Sequence, residues 1–124
     1  MKKILIIEDD KDIGFILEMV LSVTYDLMIV RNASGIVALY NQFMPDLIII
    51  DNYVGQKKAA EVVAELRIGG VGHIAPYILF SAAGNIEQLA SEIHASAYLP
   101  KPFQLSELSF LVEKVLSEQP GPKC

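Results

Sequence analysis

Four short apolar runs in this chain end in residues suited to phosphoryl chemistry. Lys3-Ile4-Leu5-Ile6-Ile7 runs into Glu8-Asp9-Asp10, and Leu47-Ile48-Ile49-Ile50 runs into Asp51. Tyr77-Ile78-Leu79-Phe80 ends in the hydroxyl of Ser81, and Ala97-Tyr98-Leu99-Pro100 ends in Lys101-Pro102. Carboxylates held together repel, and each raises the others' pKa unless a cation lies between them. Mg²⁺ answers that need, because it takes oxygen ligands, keeps several waters and requires few protein groups. A carboxylate can also be a nucleophile and form an aspartyl-phosphate. Asp51 is the candidate, since it stands alone after its run, with Glu8 and Asp9 as its metal-binding neighbours. Lys101 is then a point-charge partner for one phosphoryl oxygen, and Ser81 a hydrogen-bond donor to another.

These run ends meet if the chain forms an open parallel α/β sheet. In such sheets the carboxyl ends of the strands share one edge, and ligands bind there at the switch in strand order. The alternation of short apolar runs with longer amphipathic ones predicts that architecture. Strands are expected over residues 3–7, 27–30, 47–50, 77–80 and 97–99. Asp10 caps a first helix whose inward side carries Ile13, Ile16, Leu17, Val20 and Leu21. Ser34 caps a second, with Ile36, Val37, Leu39, Tyr40 and Phe43, and Pro45-Asp46 stops it. A loop with Gly55, Gln56, Lys57 and Lys58 precedes a third helix with Ala60, Val63, Ala64 and Leu66 facing inward. Gly69-Gly70-Val71-Gly72 breaks that helix. Gly84-Asn85 opens a short fourth helix to about residue 93. The fifth carries Leu105, Leu108, Leu111, Val112 and Val115, and Gln119-Pro120-Gly121-Pro122 stops it. Right-handed crossovers give a doubly wound five-stranded parallel sheet, order 2-1-3-4-5, with five helices. The switch then falls between the strands that end in Glu8-Asp9 and in Asp51.

The 124 residues suit one domain, expected over 1–119, with a short tail at 120–124. A net charge of −5 and a pI near 4.9 argue against direct nucleic-acid binding and against an anionic membrane surface. No apolar run is long enough to span a membrane, and the N-terminal one is too short for a signal peptide. The cytoplasm is the expected location. The single cysteine, Cys124, is read as an exposed tail residue without a disulfide or metal partner. His73 and His94 are read as surface residues, not ligands.

Taken in order and at this spacing, the motifs resemble the receiver domain of two-component response regulators over nearly the whole chain. The stretches that carry the likeness are Ile4-Leu5-Ile6-Ile7-Glu8-Asp9-Asp10, Ala33-Ser34-Gly35 with Ala38-Leu39, Pro45-Asp46-Leu47-Ile48-Ile49-Ile50-Asp51, Ser81-Ala82 and Tyr98-Leu99-Pro100-Lys101-Pro102-Phe103. The resemblance implies a flavodoxin-like receiver fold and a stand-alone response regulator. It implies that Asp51 is the phosphoacceptor. Asp9 is then a direct Mg²⁺ ligand, Glu8 a neighbour acting through water, and Tyr53 a ligand through its backbone carbonyl. Ser81 matches the switch hydroxyl, Tyr98 the aromatic switch residue, and Lys101 the site lysine, with a cis Lys101–Pro102 bond. Three positions depart from the family's usual pattern. Gly55 stands where a proline is common, Ala59 where a glycine is common, and His94 replaces the glycine before the last strand.

The function implied is a phosphoacceptor module, charged by a sensor histidine kinase or a histidine phosphotransfer protein and acting on a downstream protein target. Phosphorylation would add charge and strong acceptors at Asp51, drawing Ser81 and Lys101 toward it. The alternative is a pseudo-receiver, a constitutive protein-interaction module without phosphorylation. A true enzyme is disfavoured: an aspartate-nucleophile phosphatase needs an acid two residues after the nucleophile, and that position is Tyr53. The acids after the first strand would repel a flavin phosphate. No Lys or Arg lies between Ala82 and Pro100 or between Pro102 and Glu113, so Glu87, Glu92 and Glu107 lack local basic partners. A monomer is expected.

Overall fold

The computed structural model describes residues 1–118. The stop at residues 119–122, the tail and Cys124 lie outside them. In chain order the elements are β1 (Lys3–Ile7), α1 (Lys11–Leu21), β2 (Asp26–Val30), α2 (Ile36–Phe43), β3 (Leu47–Asp51) and β4 (Tyr53–Val54). There follow β5 (Lys57–Lys58), α3 (Ala59–Ile68), β6 (Tyr77–Ser81), α4 (Ile86–Glu92), β7 (Ala97–Pro100) and α5 (Leu105–Ser117). The main sheet has the order β2-β1-β3-β6-β7, all parallel. This is the expected 2-1-3-4-5 order, with β4 and β5 set apart as an antiparallel hairpin.

The strands are apolar on both faces because helices cover both. Side chains alternate across the sheet. Leu5, Ile7, Ile48, Ile50 and Leu79 pack on α2, α3 and α4 through Ile36, Tyr40, Val62, Leu66 and Ala90. Ile4, Ile6, Ile49, Ile78 and Phe80 pack on α1 and α5 through Leu17, Leu21, Leu108 and Val112. Each fully buried Leu or Ile contributes about 1.5–3 kcal/mol, so the two layers together fix strand register. That register brings Ile7 beside Ile50, and Asp51 beside Phe80. The ends of β1, β3 and β6 are thereby level.

Local chemistry sets the element ends. The Asp10 side chain accepts the Asp12 and Ile13 N–H groups at 2.9 and 3.1 Å, as expected of an N-cap. Ser34 does not cap α2. Its N–H donates to the Asn32 side chain at 3.0 Å, and Gly35, at φ 67°, is the residue that leads into the helix. A left-handed turn there favours glycine, so the chain enters α2 through backbone geometry. In α3 the inward residues are Ala59, Val62, Val63 and Leu66, whereas Ala60 and Ala64 are exposed. Ile16 is also exposed, although it belongs to the apolar repeat of α1, and Leu105 is exposed at the start of α5. Both line a small apolar recess with Ile13, Ala82, Pro102 and Phe103, beside the strand-end edge. Among the described residues no helix is long and apolar enough to cross a membrane.

Candidate functional site

The level strand ends bring the candidate residues together. Glu8 follows β1, Asp51 closes β3, Ser81 closes β6 and Lys101 follows β7. One carboxylate oxygen each from Glu8, Asp9 and Asp51 lie within 4.8 Å of one another. Lys101, 93 residues from Glu8 in sequence, reaches across the edge. Its Nζ donates to Glu8 Oε1 at 3.0 Å and to Asp51 Oδ2 at 2.8 Å. The Lys101–Pro102 peptide is cis, as the family likeness implies.

Burial divides the three acids. Glu8 is 2% exposed, Asp51 is intermediate and Asp9 is exposed. Burial raises the Glu8 carboxyl, and the neighbouring Asp51 raises it further. Lys101 and the Asp10 N–H pull the other way, and the net result is a pKa of about 7. For Lys101, burial disfavours the ammonium, but the pairs with Asp51 and Glu8 outweigh it and the pKa is raised. The lysine is therefore firmly charged and shared between two acids.

Backbone N–H groups complete the cage. Asp10 N–H donates to Glu8 Oε2 at 3.2 Å, Tyr53 N–H to Asp51 Oδ1 at a long 3.4 Å, and Gly55 N–H to Asp9 Oδ2 at 3.0 Å. The Tyr53 side chain is exposed, and its contact with the acids is through its backbone N–H. The set fits a hard divalent cation. One ammonium faces two of three acids, and the accessible member, Asp9, has oxygen to offer.

Ser81 is 6% exposed, and its Oγ accepts the Ala83 N–H at 3.0 Å. Its own proton remains available to an acceptor arriving at the edge. Tyr98 sits on β7 opposite Leu79 and is 38% exposed. It is an edge-strand aromatic with one side in solvent. His73 and His94 are exposed, as expected, and neither joins the acidic group.

The sequence reading missed the hairpin and the Gly55 N–H contact with Asp9. Two-residue strands are too short for periodicity to show. The usable signal was the glycine itself, which marks a turn that needs positive φ, here 63°.

The class follows from this sheet order and strand-end group, and comparison with known proteins agrees with it. The model of the response regulator receiver domain matches residues 4–113, and the chain belongs to that family. It is 29% identical over 119 residues to the transcriptional regulatory protein CpxR of Klebsiella pneumoniae, covering 94% of this chain and 50% of CpxR. It is 28% identical over 109 residues to the response regulator MprA of Mycobacterium tuberculosis, covering 86% of this chain and 46% of MprA. The chain thus spans about half the length of these curated relatives. Among solved structures, the non-phosphorylated HemR receiver domain of Leptospira biflexa superposes with a TM-score of 0.83 at 22% identity. That match covers 99% of this chain and 100% of HemR's, and it speaks to fold alone.

Proposed function

We propose that this domain is the phosphoacceptor of a two-component phosphorelay and that Asp51 takes the phosphoryl group. The observation that carries the reading is Asp51 at the end of β3, with Lys101 Nζ at 2.8 Å and oxygens of Glu8 and Asp9 close by. The donor is a phosphohistidine on a sensor histidine kinase or histidine phosphotransfer protein. An Asp51 oxygen attacks phosphorus in line. The P–N bond breaks as the P–O bond forms, and the leaving imidazole takes up a proton.

Glu8, Asp9, Asp51 and the Tyr53 carbonyl would hold Mg²⁺, which supplies charge neutralisation to the transferring group. The remaining work belongs to the chain. Lys101 gives up its pairs with Asp51 and Glu8 to meet a phosphoryl oxygen, and Ser81 turns its hydroxyl proton toward another. Because Lys101 follows β7 and Ser81 ends β6, those movements pull on the β6–α4–β7 region, where Tyr98 faces solvent. The changed surface binds a downstream protein in the cytoplasm. The reaction is confined to the domain's own aspartate, so the domain is a switch and no turnover enzyme.

Incubation with an acyl-phosphate donor tests the proposal. Labelling should require Mg²⁺ and vanish with a chelator. Persistence of full labelling in chelator would remove the metal from the account, and no labelling under any condition would favour the constitutive pseudo-receiver.

A further inference from the structure

Asp9 is held differently from the other two acids. Lys101 spans Glu8 and Asp51, and each of those also accepts an N–H from two residues along its own segment. Asp9 is exposed, and among the described residues its hydrogen bond comes from Gly55, 46 positions away. The donor is presented by a built element. In the hairpin Tyr53 pairs with Lys58 and Val54 with Lys57. Val54 is 2% exposed and seats the hairpin in the core, while Lys57 Nζ meets Glu65 Oε1 at 2.6 Å. Gly55 stands at the turn with φ 63°. Proline, the residue common at this position in the family, has no N–H and cannot adopt that angle.

We propose that Gly55 is a positioning residue of the metal site, its N–H fixing the Asp9 carboxylate before a cation arrives. The inference rests on Asp9 being a Mg²⁺ ligand. An exposed aspartate samples several staggered rotamers. A hydrogen bond to one carboxylate oxygen selects among them and leaves the other oxygen free to accept a cation, so less ordering remains to be done on binding. Lys101 gives Glu8 and Asp51 that restraint. The hairpin gives it to Asp9, where the lysine does not reach. Linkage adds a second consequence: if the N–H in place favours Mg²⁺, bound Mg²⁺ must favour the N–H in place to the same degree.

Calorimetric titration of the whole chain with Mg²⁺ tests this. Gly55→Pro should bind about tenfold more weakly, the scale of one hydrogen bond to a charged group. Gly55→Asn keeps the N–H and tolerates positive φ, and should stay within about threefold of the parent. In the unsubstituted protein, Mg²⁺ should slow hydrogen exchange at the Gly55 amide, a readout that stands even if Gly55→Pro folds poorly. Unchanged affinity in Gly55→Pro, or faster Gly55 exchange with Mg²⁺, would overturn the inference while leaving the proposed function intact. Absence of Mg²⁺ binding by the parent protein would overturn both.

Discussion

Replacing Lys101 by methionine keeps much of the stem and removes the charge, whose Nζ also lies 5.2 Å from the Phe80 ring centroid. The cost should depend on pH. At about 3 Å and an effective dielectric constant near 20, each of the two ion pairs is worth on the order of 5 kcal/mol before desolvation is subtracted. The lysine and Asp51 side chains are 16% and 14% exposed and that of Glu8 is 1% exposed, so solvent recovers little if the partner is lost. Breaking one side of such a pair costs about 3–5 kcal/mol. Glu8 modulates this. Its folded pKa, about 7, lies above its ordinary 4.5, so the folded state holds the proton more tightly than the unfolded chain. That contribution is complete below about pH 4.5 and is lost as pH rises through about 7, a swing of about 3 kcal/mol. Near pH 5.5 Glu8 is largely protonated in the fold, and the substitution costs chiefly the Asp51 pair, about 3 kcal/mol. Near pH 8 Glu8 is largely ionised as well, and the loss should rise by about 1 kcal/mol, to about 4 kcal/mol. Urea unfolding of both proteins at the two pH values, without metal, gives the two differences. A loss equal at both pH values, or below about 0.5 kcal/mol at pH 8, would refute the shared-lysine account.

Other consequences are simpler to measure. Glu8→Gln should stabilise the metal-free protein at pH 8 by about 1–3 kcal/mol and do little at pH 5, while weakening Mg²⁺. In the parent protein Mg²⁺ affinity should fall as pH drops below about 7, because the metal must then displace the Glu8 proton; a flat profile from pH 6 to 8 would count against it. His94 holds φ 58°, a conformation that costs a non-glycine residue about 1 kcal/mol, so His94→Gly should raise stability by about that amount in thermal or urea melts and leave phosphorylation unchanged. Sedimentation of the beryllofluoride-treated domain should show a monomer, or a dimer through a more apolar surface than α4, β7 and α5, because Glu87, Glu92 and Glu107 are exposed with no Lys or Arg near them in sequence; a dimer through α4, β7 and α5 that dissociates as salt rises would contradict this.

Most of the architecture was legible because parallel strands buried on both faces read as unbroken apolar runs, and their ends carry the acids, the hydroxyl and the lysine. What escaped was local or long-range. Ser34 has the chemistry of a cap, but the neighbouring Asn32 took its N–H and Gly35 made the turn. In α3 Val63 and Leu66 face inward as expected, but Ala59 and Val62 are buried where Ala60 and Ala64 were expected, because the hairpin before the helix, with Val54 as anchor, left no periodic trace. Ile16 and Leu105 have core chemistry but sit at the rim of a recess. At the site, residue types named Glu8, Asp9, Asp51 and Lys101, yet nothing in their spacing told that the lysine would span two acids and leave the third to Gly55. His94 shows the converse. A missing glycine in the pattern became, in the fold, a histidine in the left-handed region.

The central claim is that Asp51 is the residue phosphorylated. Mapping the modified position after Mg²⁺-dependent transfer, by reductive trapping of the acyl phosphate and peptide mass spectrometry, addresses it most directly. The account predicts one modified residue, Asp51, and no trapped product from Asp51→Asn. Equal product from Asp51→Asn, or a label on His73, His94 or Asp9 in the parent chain, would contradict it.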